Sequence, residues 1–80
     1  MASISPALSP EVQSFGAALR KRRKELGLTQ EQLAVKAGVT GASVSHIERL
    51  NWGPSLDISV RLAKAADTTV GALLGEVPGD

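Results

Sequence analysis

The stretch GLTQEQLAVKAGVTGASVSHIE, residues 27–48, decides the fold. It holds two helix starts eleven residues apart, Thr29-Gln30-Glu31-Gln32 and Thr40-Gly41-Ala42-Ser43, with Gly38 just before the second. The Thr29 hydroxyl can cap a helix, and Gln32 three positions on can return the bond, which is the reciprocal pattern of a capping box. Leu33, Ala34 and Ala37 supply the buried stripe of a helix over about residues 30–37. Ala34 is small and permits a close approach by the next helix. Gly38 provides the sharp turn that a residue with a Cβ resists, and Val39 plugs the corner. Thr40 then caps a second helix, over about residues 41–50. Val44 and Ile47 are its only large apolar residues, so a narrow stripe faces the core.

Gly41, Ala42, Ser43, Ser45 and His46 therefore point elsewhere, and the surface they form is short-chained and uncharged. Such a surface presses into a groove without steric clash or repulsion from phosphates. A short helix, a tight turn and a second short helix is the helix-turn-helix layout. That layout usually exists to place its second helix in the major groove of duplex DNA.

The flanks agree with a helical domain. Residues 1–8 show no period and read as a flexible arm. Ser9-Pro10-Glu11 is a helix start, with Ser9 as N-cap, Pro10 in the first helical position and Glu11 against the positive helix end. Val12, Phe15, Leu19 and Leu26 share one face of this first helix, with Arg22 and Arg23 filling the gap in the stripe, and Gly27 ends it. Asn51-Trp52-Gly53-Pro54 is a loop by composition. Ser55 caps a helix over about 56–66, whose buried residues are expected to be Leu56, Leu62, Ala63 and Ala66. Thr69 caps a last helix, about 70–74, stopped by Gly75. The expectation is an all-α bundle of about five short helices over residues 9–77, with a tail at 78–80.

Composition narrows the function. Eighty residues make one small domain. A chain of this size buries only about 60–65% of its unfolded surface, so its stability margin is thin. There is no cysteine, which excludes a disulfide framework and a thiolate metal site. His46 is the single histidine, so a multi-histidine metal site is excluded too. No apolar run approaches the ~18 residues that span a bilayer, and the N-terminus lacks the form of a signal peptide. A cytoplasmic protein with no membrane association, no metal and no cofactor is expected. Phe15 and Trp52 are the only aromatics, too few for the stacking platforms that bind single strands. No phosphate loop and no paired acids in a plausible cleft are present, so an enzyme is not expected. Net charge is only +1, but five of the nine basic residues are consecutive, Arg20 to Lys24. Such a run is either a solvated helix face or a row of phosphate partners.

Leu19-Arg20-x-x-Arg23, Gly27-Leu28-Thr29-Gln30-x-x-Leu33-Ala34, Gly38-Val39-Thr40, Val44-Ser45-x-Ile47-Glu48 and Pro54-Ser55-Leu56 together resemble the phage repressor and Cro type of helix-turn-helix domain, the XRE family. The match runs over about residues 12–77, and its specificity lies in the ordered set rather than in any one element. The resemblance implies a lambda-repressor-like bundle that binds operator DNA, usually as a two-fold dimer. It places Gly41, Ala42, Ser43 and His46 in the base-facing positions of the recognition helix. It places Gln30, Thr40, Ser45, Lys36, Arg49 and Asn51 toward the sugar–phosphate backbone, and it implies a structural ion pair between Arg23 and Glu48.

Gly41 and Ala42 cannot form the bidentate base contacts that carry strong direct readout. His46 is the one long polar side chain on that surface, so site choice is expected to rest on His46, a few serine contacts and DNA shape. Three departures from the family pattern stand out. Leu50 replaces a common glycine, so the third helix is expected to run on and Asn51 to take the left-handed turn. Ser59 and Ala66 replace leucines, which thins the core under the fourth helix. Ile58 falls where a polar residue is common, which suggests an outward contact surface. Ile58 with Val70, Leu73 and Leu74 is therefore a candidate dimer face, with Val77 in the same apolar cluster. Trp52 reads as a lid on the core, a dimer contact or a packing group against the DNA backbone. The leading reading is a repressor or autoregulator of transcription that binds an inverted-repeat operator. The alternatives are an antitoxin-like module whose partner is a protein, and the DNA-binding part of a longer regulator with a sensor domain.

Overall fold

A computed structural model describes residues 8–75 of the chain. The expected arm up to residue 7, Val77 and the tail at 78–80 lie outside the described residues. Five helices follow one another: α1 Pro10–Glu25, α2 Gln30–Ala37, α3 Gly41–Glu48, α4 Leu56–Ala65 and α5 Val70–Leu73. No strand is present among the described residues.

Every helix begins on a hydroxyl. Ser9, Thr29, Thr40, Ser55 and Thr69 each sit in extended backbone and accept from the amide three residues on. These caps satisfy donors that would otherwise be orphaned at a helix start. At α2 the box is complete: Thr29 Oγ1 accepts from the Gln32 amide at 3.0 Å, and Gln32 Oε1 accepts from the Thr29 amide at 2.9 Å.

The helix ends are equally uniform. After α1, α2, α3 and α4 the chain takes one residue with positive φ: Gly27 at 72°, Gly38 at 73°, Leu50 at 63° and Asp67 at 59°. In each case the next amide bonds back to a carbonyl five residues earlier, as Leu28 does to Arg23, Val39 to Ala34, Asn51 to His46 and Thr68 to Ala63. This double closure is the Schellman pattern. Two of the four positions are not glycine, and a left-handed non-glycine residue costs roughly 1–2 kcal/mol.

Leu50 corrects an expectation. The third helix stops at Glu48 rather than near 50, and Leu50, not Asn51, makes the left-handed turn. The physical reason lies across the bundle. A methyl group on Gly16 of α1 would stand 2.5 Å from the Ile47 carbonyl oxygen and 2.6 Å from Leu50 Cδ2. The end of α3 therefore rests directly on the bare backbone of α1, and turning at Leu50 lays its side chain there.

Phe15, Leu19, Leu33, Val44, Ile47 and Leu62 are the large side chains withdrawn from water. Ala34, Ala37, Ala63, Ala65 and Ala66 fill the space between them. α2 packs on both α3 and α4, while α1 packs on α3 and α5. The alanines let the α2–α3 pair lie close, which fixes α3 on its support.

Four expected burial assignments differ. Leu26 lies past the last turn of α1 and is 37% exposed. Leu56, in the first turn of α4, is 75% exposed, and Ser59 takes the buried position instead, its hydroxyl donating to the Ser55 carbonyl at 2.8 Å. Ile58 packs against the core rather than standing on the outer face of α4. Leu73, proposed for the dimer face, is buried at 4% exposure and closes the core between α1 and α4. Val70 and Leu74 are half-buried and lean on the same core.

Candidate nucleic-acid interface

α3 is held from below by charge as well as by apolar packing. Arg23 of α1 reaches Glu48 at the end of α3 with two parallel bonds, Nε to Oε2 at 2.7 Å and Nη2 to Oε1 at 2.9 Å. Both side chains are nearly buried, at 10% and 2% exposure. Nη1 of Arg23 also donates to the Leu28 carbonyl at 2.8 Å, which fixes the turn before α2. Gln30 completes the cluster, its Nε2 donating to Glu48 Oε1 at 3.1 Å. α1, α2 and α3 thus meet at one carboxylate, with the turn before α2 tied in through Arg23, and no buried side-chain polar atom among the described residues lacks a partner. The Arg23 pKa is raised by its hydrogen bonds to Glu48, lowered in part by desolvation, and raised again by the charge of Glu48.

The opposite face of α3 meets water. Ala42 and His46 are exposed, and Gly41, Ser43 and Ser45 are half-buried between neighbours. The Thr40 hydroxyl accepts from the Ser43 amide at 3.1 Å and donates to Ser43 Oγ at 2.9 Å. The first amides of α3 point outward from this cap, and a helix N-terminus of this kind suits an anionic oxygen. Lys36 on α2 and Arg49 at the end of α3 are both exposed.

His46 is not a lone side chain. Its Nδ1 lies 3.0 Å from Asn51 Nδ2. The Trp52 ring stands 5.9 Å from the His46 ring and is tilted 34° to it. With the Asn51 amide donating, Nδ1 carries the lone pair and the ring proton sits on Nε2. Trp52 is 37% exposed and absent from the core cluster, so it is not a lid on the core; it braces His46 instead. This trio crosses the end of α3, so the left-handed turn at Leu50 is what brings Asn51 and Trp52 back to His46.

The basic run on α1 divides by role. Arg22 Nε donates to the Ala66 carbonyl at 3.0 Å and Nη2 to the Asp67 carbonyl at 3.3 Å, which satisfies the end of α4. Arg23 is committed to Glu48. Arg20, Lys21 and Lys24 stay exposed. Among the described residues no group of three or more His, Asp or Glu side chains is placed to hold a metal ion, and no helix is long and apolar enough to cross a membrane.

Sequence reasoning overlooked the Gln30–Glu48 bond, the Arg22 cap on α4 and the bracing of His46. The first two join residues 18 and 44 positions apart, for which a single sequence carries no spacing signal. The third was readable, because Asn51 and Trp52 follow within six residues of His46.

A family model described as helix-turn-helix matches residues 19–73. Over 47 residues the chain is 47% identical to an uncharacterized HTH-type transcriptional regulator of Methanothermobacter thermautotrophicus, covering 59% of this chain and 68% of that protein. Over 63 residues it is 39% identical to the immunity repressor protein of Bacillus phage phi105, covering 79% of this chain. It spans only 44% of that repressor. The crystal structure of the P22 c2 repressor in complex with a synthetic operator superposes with a TM-score of 0.70 at 30% identity, covering 82% of this chain and 96% of that one.

Proposed function

The chain belongs to the helix-turn-helix family, and from that premise we propose that it is a sequence-specific regulator of transcription, a repressor or autoregulator that lays α3 in the major groove. One observation carries this reading. The water-facing side of α3 has no charge and no long side chain except His46, while the buried side is clamped by the Arg23–Glu48 pair. A rigid helix with a short-chained outer face enters a groove closely.

In this reading Gly41, Ala42, Ser43 and His46 face base edges. His46 presents Nε2–H, a donor that suits the N7 or O6 acceptors of guanine. Thr40, Ser45, Gln30, Asn51, Lys36 and Arg49 hold the sugar–phosphate backbone. Such contacts fix register and supply salt-dependent affinity without reading sequence. Two copies bind an inverted repeat, with their recognition helices about 34 Å apart. An apolar surface suited to pairing is the cleft of about 250 Å³ whose lining includes Val12, Pro54, Leu56, Val70 and Leu74. Ile58 and Leu73 stay behind it, on the core.

Selection of bound duplexes from a random pool, at about 50 and 200 mM salt, tests the reading. The expected result is an enriched inverted repeat with half-sites about 10 base pairs apart. Binding without preference that collapses at the higher salt would reduce the function to phosphate contact. No binding at either salt would refute the reading and favour a protein partner.

A further inference from the structure

The first base-facing position of α3 has no side chain of its own, yet the space is filled. A methyl group built on Gly41 would overlap the carboxylate of Glu31, with the carboxyl carbon 2.6 Å and Oε1 2.9 Å away. Glu31 stands in the first turn of α2. It is exposed, and none of the three salt bridges among the described residues involves it. The carboxylate of α2 therefore occupies the volume that residue 41 would use if it carried a side chain. We infer that Glu31 is a base-reading residue, and that it selects a cytosine through the N4 amino group at the position Gly41 faces. The inference rests on the proposed placement of α3 in the major groove.

The chemistry follows from the inventory of donors. An ionised carboxylate only accepts hydrogen bonds. In the major groove cytosine N4 is a donor, whereas guanine offers two acceptors and thymine one. Adenine sets its N6 donor beside the N7 acceptor, whereas cytosine offers a donor alone, so a carboxylate favours cytosine; beside guanine or a phosphate it is repelled. Specificity obtained partly by repulsion is the usual way a partner is rejected. A Cβ at 41 would displace this carboxylate, whose flexible chain can swing aside, so glycine at 41 is what leaves the reading group its place. Nothing else about Gly41 demands glycine, because it is not one of the glycines with positive φ.

The substitution Glu31→Gln keeps the shape and removes the charge. Gln favours adenine, donating to N7 and accepting from N6. Duplex selection is run with the wild-type chain, Glu31→Gln and Glu31→Ala, and melting curves verify that each is folded. The expected result is a cytosine at one position per half-site for the wild type, an adenine there for Glu31→Gln and no preference there for Glu31→Ala. The other enriched positions stay unchanged. Replacing that cytosine should weaken wild-type binding roughly fivefold or more per half-site and leave Glu31→Ala binding unaltered. Gly41→Ala should lose the same preference, with little further effect in the Glu31→Ala background. An identical motif from all three chains overturns the inference and leaves the operator reading standing. No motif from the wild type refutes the operator reading, and the inference with it.

Discussion

Removing the carboxylate of Glu48 strands a buried guanidinium. In Glu48→Ala, Arg23 loses two bonds of 2.7 and 2.9 Å and keeps one of 2.8 Å to the Leu28 carbonyl. Gln30 loses its acceptor as well. Breaking one side of a buried pair typically costs about 3–5 kcal/mol, because the partner charge stays out of water. The exposure of the two side chains, 10% and 2%, places this pair in that class rather than among surface pairs. At roughly 0.05–0.15 kcal/mol per residue, a chain of this size has about 4–12 kcal/mol of stability in total. The variant therefore loses about a quarter of it or more. For domains of this size each kcal/mol shifts the midpoint by about 4–8 °C, so thermal unfolding followed by circular dichroism should move down by about 12–40 °C. The double variant Arg23→Met with Glu48→Leu separates stranded charge from lost packing. Apolar replacement of a whole buried pair is often neutral, so it should regain most of the loss. A single variant that melts within a few degrees of the wild type would refute the argument. So would a double variant less stable than either single. The arginine has its pKa raised in the fold. Its contribution is therefore complete below the ordinary arginine range and fades only as pH rises through the raised value. From the arginine side, melting should be insensitive to pH between about 6 and 10.

Gly16→Ala sets helix propensity against space. Alanine is favoured by about 1 kcal/mol inside a helix, but its methyl would meet the Ile47 carbonyl, which is backbone and cannot swing aside. Overpacking costs about 1–3 kcal/mol, so a net loss of up to about 2 kcal/mol is expected in urea titration. Asp67→Gly relieves about 1–2 kcal/mol at the left-handed residue after α4 against about 0.5–1 kcal/mol of chain entropy, a net gain of about 0–1.5 kcal/mol, since Arg22 bonds the backbone carbonyl there and not the side chain. His46→Ala should flatten the preference at one base pair while leaving the melting temperature within about 4 °C, because an exposed side chain contributes within about 0.5 kcal/mol; an unchanged motif would remove His46 from the reading set. Lys36→Ala and Arg49→Ala should each lower the slope of log affinity against log salt by about one, with the selected sequence unchanged.

Local signals carried most of the fold. Each helix start was legible because a hydroxyl cap needs only its own residue and the amide three further on. Gly27 and Gly38 announced two helix ends for the same reason. The end of α3 was not legible, because the left-handed Leu50 rests its side chain on Gly16, 34 positions earlier in the chain. Ile58 and Ser59 face the core while Leu56 stands out, because periodicity over ten residues does not fix which side of α4 meets α2 and α5. The Arg23–Glu48 pair is legible from its position in the motif, and the same motif sets His46 on the exposed face of α3. Glu31 was passed over because nothing in a sequence says that a side chain from one helix fills the gap left by a glycine on another.

The pairing of Trp52 with His46 has a practical consequence. Trp52 is the sole tryptophan of the chain, and no tyrosine accompanies it. Its indole therefore supplies nearly all of the intrinsic fluorescence, and it does so from beside the candidate DNA face rather than from the core. A duplex seated on α3 would strip water from that ring and change its emission, which makes the unmodified protein its own binding sensor. Unfolding would also free that ring from His46, so a DNA titration below the melting transition reads binding without attaching a dye.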